Sequence, residues 1–190
     1  STGAGTAPGG WVTGTGDYCV ESWIYFPSGR VTNQDSVVCS LDTTGGFAIR
    51  FGQSYAGTNP NYISFFARGS SDMDWAPFTW PTNTWVHWAA QRKSGTVSLW
   101  ANGNKLTIGG GSGASSYNYS STTGTAVIGS YQNNTTDEDL MMYIDEFCLS
   151  SSWRYDDSQS TYNVPTAAFS VDQYTRLLIH WDGTWASAAT

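Results

Sequence analysis

The sequence predicts an all-β fold, an antiparallel β-sandwich, on three observations. Apolar and polar residues alternate with a period of two over short runs. Glycine, proline and Asn-Gly turn signals separate these runs at the spacing of a sandwich. No segment repeats its apolar residues with the 3.6-residue period of an amphipathic helix.

Taken in order, residues 1–16 are rich in Gly, Thr and Ala and read as an arm or linker, with the sandwich domain expected over 17–190. GTGDYCVESWIYFP (14–27) reads as a glycine turn, a strand and a proline stop. Strands are expected at 17–26, 35–42, 46–52, 61–68, 84–92, 95–101, 104–108, 125–130, 141–149 and 174–181. Gly45-Gly46 makes a tight turn, and Asn102-Gly103 marks a hairpin because both residues tolerate positive φ. One helical turn is expected around Trp153-Arg154-Tyr155. The stretches 69–83, 109–124 and 131–140 read as long loops, where binding often resides.

Alternation separates the faces of each strand. Tyr18, Val20, Ile24 and Phe26 share one side of the first strand, and Cys19, Glu21, Trp23 and Tyr25 share the other. In 95–101, Val97, Leu99 and Ala101 oppose Ser98 and Trp100. A face carrying Trp23, Tyr25 and Trp100 is unlike an ordinary solvent face. It is expected to be covered by loops and another subunit, or to serve as a binding platform.

Composition narrows the function. The chain has 190 residues, enough to bury one core without staples. Only 12% of residues are charged, about half the usual share. The formal net charge is −7, with eight scattered Lys and Arg residues. Phosphate backbones require clustered positive charge, so nucleic acid is excluded as a partner. No run approaches the ~18 apolar residues of a membrane span. The N-terminus lacks the basic and apolar regions of a signal peptide and an initiator Met, so the chain is expected to be processed or cut from a longer one. The three cysteines, Cys19, Cys39 and Cys148, are expected to be free structural thiols, with a Cys19–Cys148 bridge as the alternative. His87 and His180 show no metal-ligand spacing and are given structural roles. No nucleophile elbow, phosphate loop or zinc-protease motif is present.

Glycan binding is suggested by aromatic rings placed beside hydrogen-bonding groups. A sugar's C–H face stacks on indole while Asp and Asn fix its hydroxyls. Asp72, Asp74, Trp75 and Trp80 supply those parts in loop 69–83, and Asn133, Asn134 and Asp137 in loop 131–140. The alternative is that Trp75 and Trp80 plug the end of the sandwich.

The ordered segments GTGDYCVESWIYFP, GGFAIRFG (45–52), WVHWAAQRKSGTVSLWANG (85–103), AVIGSYQN (126–133) and YIDEFCLSSSWRY (143–155) resemble the laminin-G-like branch of the concanavalin A-like lectin/glucanase superfamily, especially copies in bacteriophage tail fibres and virion proteins. The resemblance implies a jelly roll of two curved antiparallel sheets. It also implies that TRLLIHWDGTW (175–185) closes one copy or opens the next. Glucanases of the superfamily carry their carboxylate pair on one strand face, about 5–5.5 Å apart. This chain lacks that pattern, and adjacent Asp145 and Glu146 are expected to point to opposite faces. By resemblance, Asp145 and then Asp182 are the calcium candidates. The alternative has Asp145 bonding a loop backbone and Asp182 capping an Asp-Gly turn. The reading that emerges is a non-catalytic binding and assembly domain on a virion surface, or in an extracellular setting, requiring no cofactor. It would contact host glycans or other virion subunits, with homo-oligomerisation through the parent protein. A purely structural decoration and a secreted carbohydrate-binding or adhesion module are the alternatives.

Overall fold

The computed structural model describes residues 3–6, 14–28, 36–41, 46–51, 62–67, 73–111, 117–119, 125–129 and 142–181. Among the described residues, thirteen strands form two antiparallel sheets and there is no helix. The strands are β1 (Gly3–Thr6), β2 (Tyr18–Tyr25), β3 (Ser36–Leu41), β4 (Phe47–Phe51), β5 (Tyr62–Ala67), β6 (Met73–Pro77), β7 (Trp85–Lys93), β8 (Thr96–Ala101), β9 (Asn104–Lys105), β10 (Gly110–Gly111), β11 (Thr125–Ile128), β12 (Tyr143–Ser150) and β13 (Thr175–Ile179). One sheet has seven strands in the order β1-β11-β3-β4-β5-β6-β10. The other has six, β13-β12-β2-β7-β8-β9. This is the two-layered jelly-roll sandwich that the sequence led us to expect.

Alternating side chains from both sheets fill the space between them. Tyr18, Val20, Ile24 and Phe26 meet Phe47, Ile49, Phe51, Ile63 and Phe65 in one core. Rings lock the layers together, with Tyr18 stacked on Phe65 at 5.1 Å and Phe51 edge-on to Trp88 at 5.0 Å. Arg92 is buried at one end of this core. Its guanidinium donates to the carbonyls of Gly14, Gly16 and Tyr117 and lies over the Tyr18 and Tyr119 rings. A fully buried cation is tolerated because carbonyls and π faces replace its water.

Three strands lie where strands were not expected. β1 occupies part of the N-terminal arm and pairs with β11. β6 occupies part of the 69–83 loop, and β10 part of the 109–124 loop. The helical turn expected at Trp153–Tyr155 is absent, and the chain runs there without regular structure. The Asn102-Gly103 hairpin holds, with both residues at positive φ (48° and 86°).

Candidate functional site

The outer face of the six-stranded sheet is organised in rungs that run across the strands. Tyr143, Tyr25 and Trp85 stand opposite one another on β12, β2 and β7. The next rung is Asp145, Trp23 and His87. Further along lie Glu21 with Cys148 and Ala89, and then Cys19 with Ser150 and Gln91.

A segment without regular structure, residues 151–174, covers the far rungs. Gln91 anchors it. Its Oε1 accepts the backbone N–H of Arg154 (3.0 Å) and Tyr155 (2.9 Å), and its Nε2 donates to the Tyr155 carbonyl (2.6 Å). Trp100 is wholly buried beneath the rings of Tyr155 and Tyr162, each 5.7 Å from its own. Trp100 therefore cannot meet another subunit, because the chain's own C-terminal segment already covers it. Glu21, also buried, accepts the Tyr155 hydroxyl and pairs with Arg154 Nε at 3.1 Å and His87 Nε2 at 3.4 Å. Burial, and then the Glu21 charge, push the Tyr155 phenol far above its ordinary range. For Arg154, burial works most strongly against the charge, but Glu21 together with Cys148, Cys19 and Asp172 outweighs it and the net shift is upward. His87 also bonds the Tyr162 hydroxyl at 2.7 Å, the structural role expected of it.

The near rungs stay accessible. Trp85 is 42% exposed and Tyr143 is 63% exposed, with Tyr25 between them at ring separations of 5.6 and 5.8 Å. Beside them opens a cleft of about 520 Å³ lined by Trp23, Trp85, Asp145, Glu146 and residues 164–168 of the covering segment. It unites one of the three residues expected to form an interacting face, Trp23, with the first calcium candidate, Asp145, and a second, Tyr25, stands beside it against Trp85.

Alternation misjudged Asp145 and Glu146. Glu146 sits at φ +53°, in the left-handed region, where the register between β12 and β2 slips by one residue. This bulge lets consecutive carboxylates line the same cleft instead of opposite faces. Both are engaged by the protein itself. Asp145 Oδ1 accepts the backbone N–H of Glu146 (2.8 Å) and Trp181 (3.1 Å). Glu146 Oε1 meets His180 Nδ1 at 2.6 Å, and Oε2 accepts the Phe169 N–H at 2.5 Å. Among the described residues, none donates to Asp145 Oδ2.

Calcium needs six to eight oxygen ligands. The described residues do not gather three His, Cys, Asp or Glu side chains that could hold a metal ion. Three of the four carboxylate oxygens in the cleft are already taken, so these residues do not by themselves fit the expected calcium. Asp182, the second candidate, lies outside the described residues.

The expected glycan loop is arranged differently. Trp80 belongs to the core, 6% exposed, donating to the Tyr62 carbonyl and packed on Phe51 at 4.3 Å. It plugs the sandwich, the alternative reading of its role. Trp75 is half-buried under the glycines at 109 and 110, where an added Cβ would lie 2.7 and 2.9 Å from its ring. That packing takes up part of the indole surface expected to meet a sugar. Asp74 lies in β6, on the same face as buried Ala76. Asp72, Asn133, Asn134 and Asp137 lie outside the described residues. The three cysteines are free and buried, and Cys19 and Cys148 form no bridge.

Residues 1–157 match the family described as the concanavalin A-like lectin/glucanases superfamily. Among solved structures, a proposed carbohydrate-binding protein from Bacteroides ovatus ATCC 8483 superposes with a TM-score of 0.67 at 18% identity, over 96% of this chain and 49% of its own. Mouse laminin α1 domains LG4-5 give 0.51 at 11% identity, over 87% and 42%. Tailspike protein 2 of the Escherichia coli O157:H7 bacteriophage CAB120 gives 0.50 at 11% identity, over 77% and 21%. The chain thus spans about half the length of the Bacteroides protein. No curated protein matches it. The chain belongs to the concanavalin A-like lectin/glucanases superfamily.

Proposed function

We propose that this member of the superfamily is a non-catalytic glycan-binding domain, and that the cleft between Trp85 and Asp145 is its binding surface. The observation that carries this reading is the rung of exposed rings, Tyr143, Tyr25 and Trp85, bordering a cleft with an unengaged carboxylate oxygen. Exposed indole offers an apolar face to a sugar's C–H groups, and Asp145 Oδ2 offers an acceptor for hydroxyls. Hydrolysis needs two carboxylates free to act on opposite sides of one bond. Glu146 is instead held by His180 and Phe169, which favours binding over cleavage.

The setting we propose is the surface of a virion. It is supported by the likeness to a phage tailspike and by a surface whose solubility rests on neutral hydrogen-bonding groups rather than charge. The exposed Tyr143 and Trp85 rings equally favour a second reading, a contact with another virion subunit.

A glycan array probed with the wild-type chain, Trp85→Ala and Trp23→Ala tests the proposal. Losing stacking on a half-exposed indole is expected to weaken binding about tenfold. Binding that survives both substitutions would remove this cleft as the site. A chain that binds no glycan but associates through Trp85 and Tyr143 would establish the second reading.

A further inference from the structure

We propose that the cleft selects glycans by charge, rejecting acidic sugars and preferring those that carry a free, protonated amine. This rests on the glycan-binding reading and names its ligand class. Among the described residues, the cleft is lined by two carboxylates, Asp145 and Glu146, and by no Lys or Arg. Its remaining walls are indole rings and the neutral segment VPTAA (164–168).

The basic groups nearby are committed elsewhere. His180 bonds Glu146 at 2.6 Å, and Arg154 is held by Glu21 and Asp172 on the covered part of the face. An incoming carboxylate or sulfate would face like charge, with no Lys or Arg among the described lining residues to receive it. The formal net charge of −7 disfavours its approach as well. A protonated amine meets the opposite situation. Asp145 Oδ2 has no donor among the described residues, while Oδ1 is fixed by two backbone N–H groups that hold the carboxylate in place. Trp23 stands beside Asp145 in the same rung, and indole faces attract ammonium groups. A charge-assisted hydrogen bond and a neighbouring indole in the same cleft therefore both favour a cation.

The test is calorimetric titration of the whole chain with three oligosaccharides of matched length. One is a β-1,4-glucosamine oligomer with free amines, one its N-acetylated counterpart, and one an oligogalacturonate. The pH is set where the amines are protonated, and the titrations are repeated at low and high salt. The amine oligomer is expected to bind about ten- to a hundredfold tighter than the N-acetylated one and to weaken as salt rises, with no oligogalacturonate binding. Asp145→Asn keeps an oxygen for the Glu146 and Trp181 N–H groups but removes the charge. It is expected to bring the amine oligomer down to the level of the N-acetylated one. Equal binding of the amine and N-acetylated oligomers, or tight oligogalacturonate binding, would overturn charge selection and leave the glycan reading standing. Binding of none of the three would overturn charge selection, and together with a blank glycan array it would overturn the glycan reading as well. Should the variant fold poorly, the salt dependence of the wild-type chain decides.

Discussion

Replacing Gln91 with Met should release the C-terminal segment from the outer face. Gln91 is wholly buried, and Met nearly matches its volume, so no cavity forms. What is lost is hydrogen bonding. The N–H groups of Arg154 and Tyr155 and the Tyr155 carbonyl all lose their partner. Each buried group left unsatisfied costs about 1–3 kcal/mol. The half-exposed segment can shift and let water recover part of that, so the net loss is expected to be about 3 kcal/mol. For a chain of 190 residues this lowers the melting temperature by roughly 6–12 °C. Differential scanning calorimetry measures the shift, and hydrogen exchange locates it. Amides of Arg154, Tyr155 and Tyr162 should lose protection, whereas those of β4 and β5 fall only with global stability. A shift under about 2 °C with unchanged exchange at Arg154 and Tyr155 would refute the claim that this glutamine clamps the segment.

Further predictions concern other parts of the fold. Gly109→Ala should destabilise the chain by about 1–3 kcal/mol because the new methyl strikes the Trp75 ring, and Trp75→Ala should abolish most of that cost in a double-mutant cycle. The cysteines should resist maleimide at pH 8 until the protein is denatured. Burial pushes up all three thiols, Cys148 to about 12 despite Arg154 nearby, and rapid labelling of the native chain would contradict this. Partial burial of Asp172 opposes ionisation, yet hydrogen bonds from Thr175 and Tyr174, with Arg154, hold its carboxyl below the usual range. A depressed value contributes stability above the unfolded pKa, and that contribution is lost as pH falls through the folded one. β13 amide shifts should therefore change below about pH 4 in the wild type but not in Asp172→Asn.

The sandwich was legible because its central strands alternate cleanly. The faces of β2 and β8 were assigned residue by residue, and the two sides of Tyr18–Tyr25 are as alternation places them. β6 and β10 were hidden by composition. Met-Asp-Trp-Ala-Pro ends in a residue that cannot donate to a ladder, and Gly-Gly shows no period at all. The site was half legible. Trp23 and Tyr25 stood out as residues on the wrong kind of face and Asp145 through the family resemblance, whereas Trp85, Tyr143 and Glu146 gained meaning only from cross-strand register. Register depends on turn lengths and bulges, and the bulge at Glu146 uses a non-glycine residue at positive φ. The covering segment carries Tyr155, Tyr162 and Phe169 at irregular spacing, so its fit over Trp100 and His87 had no periodic signature. The aromatic surplus on that face was the available clue, and it announced a cover without identifying it.

Ligand is expected to meet the outer rungs and not the loop around Trp75. Tryptophan indole N–H resonances report this directly, since the chain has ten such residues and the described ones lie in distinct surroundings. On titration with a bound glycan, the indole signals of Trp23 and Trp85 should move, while those of Trp80, Trp88 and Trp100, buried in the two cores, should stay in place. Movement confined to Trp75, with Trp23 and Trp85 unmoved, would contradict it.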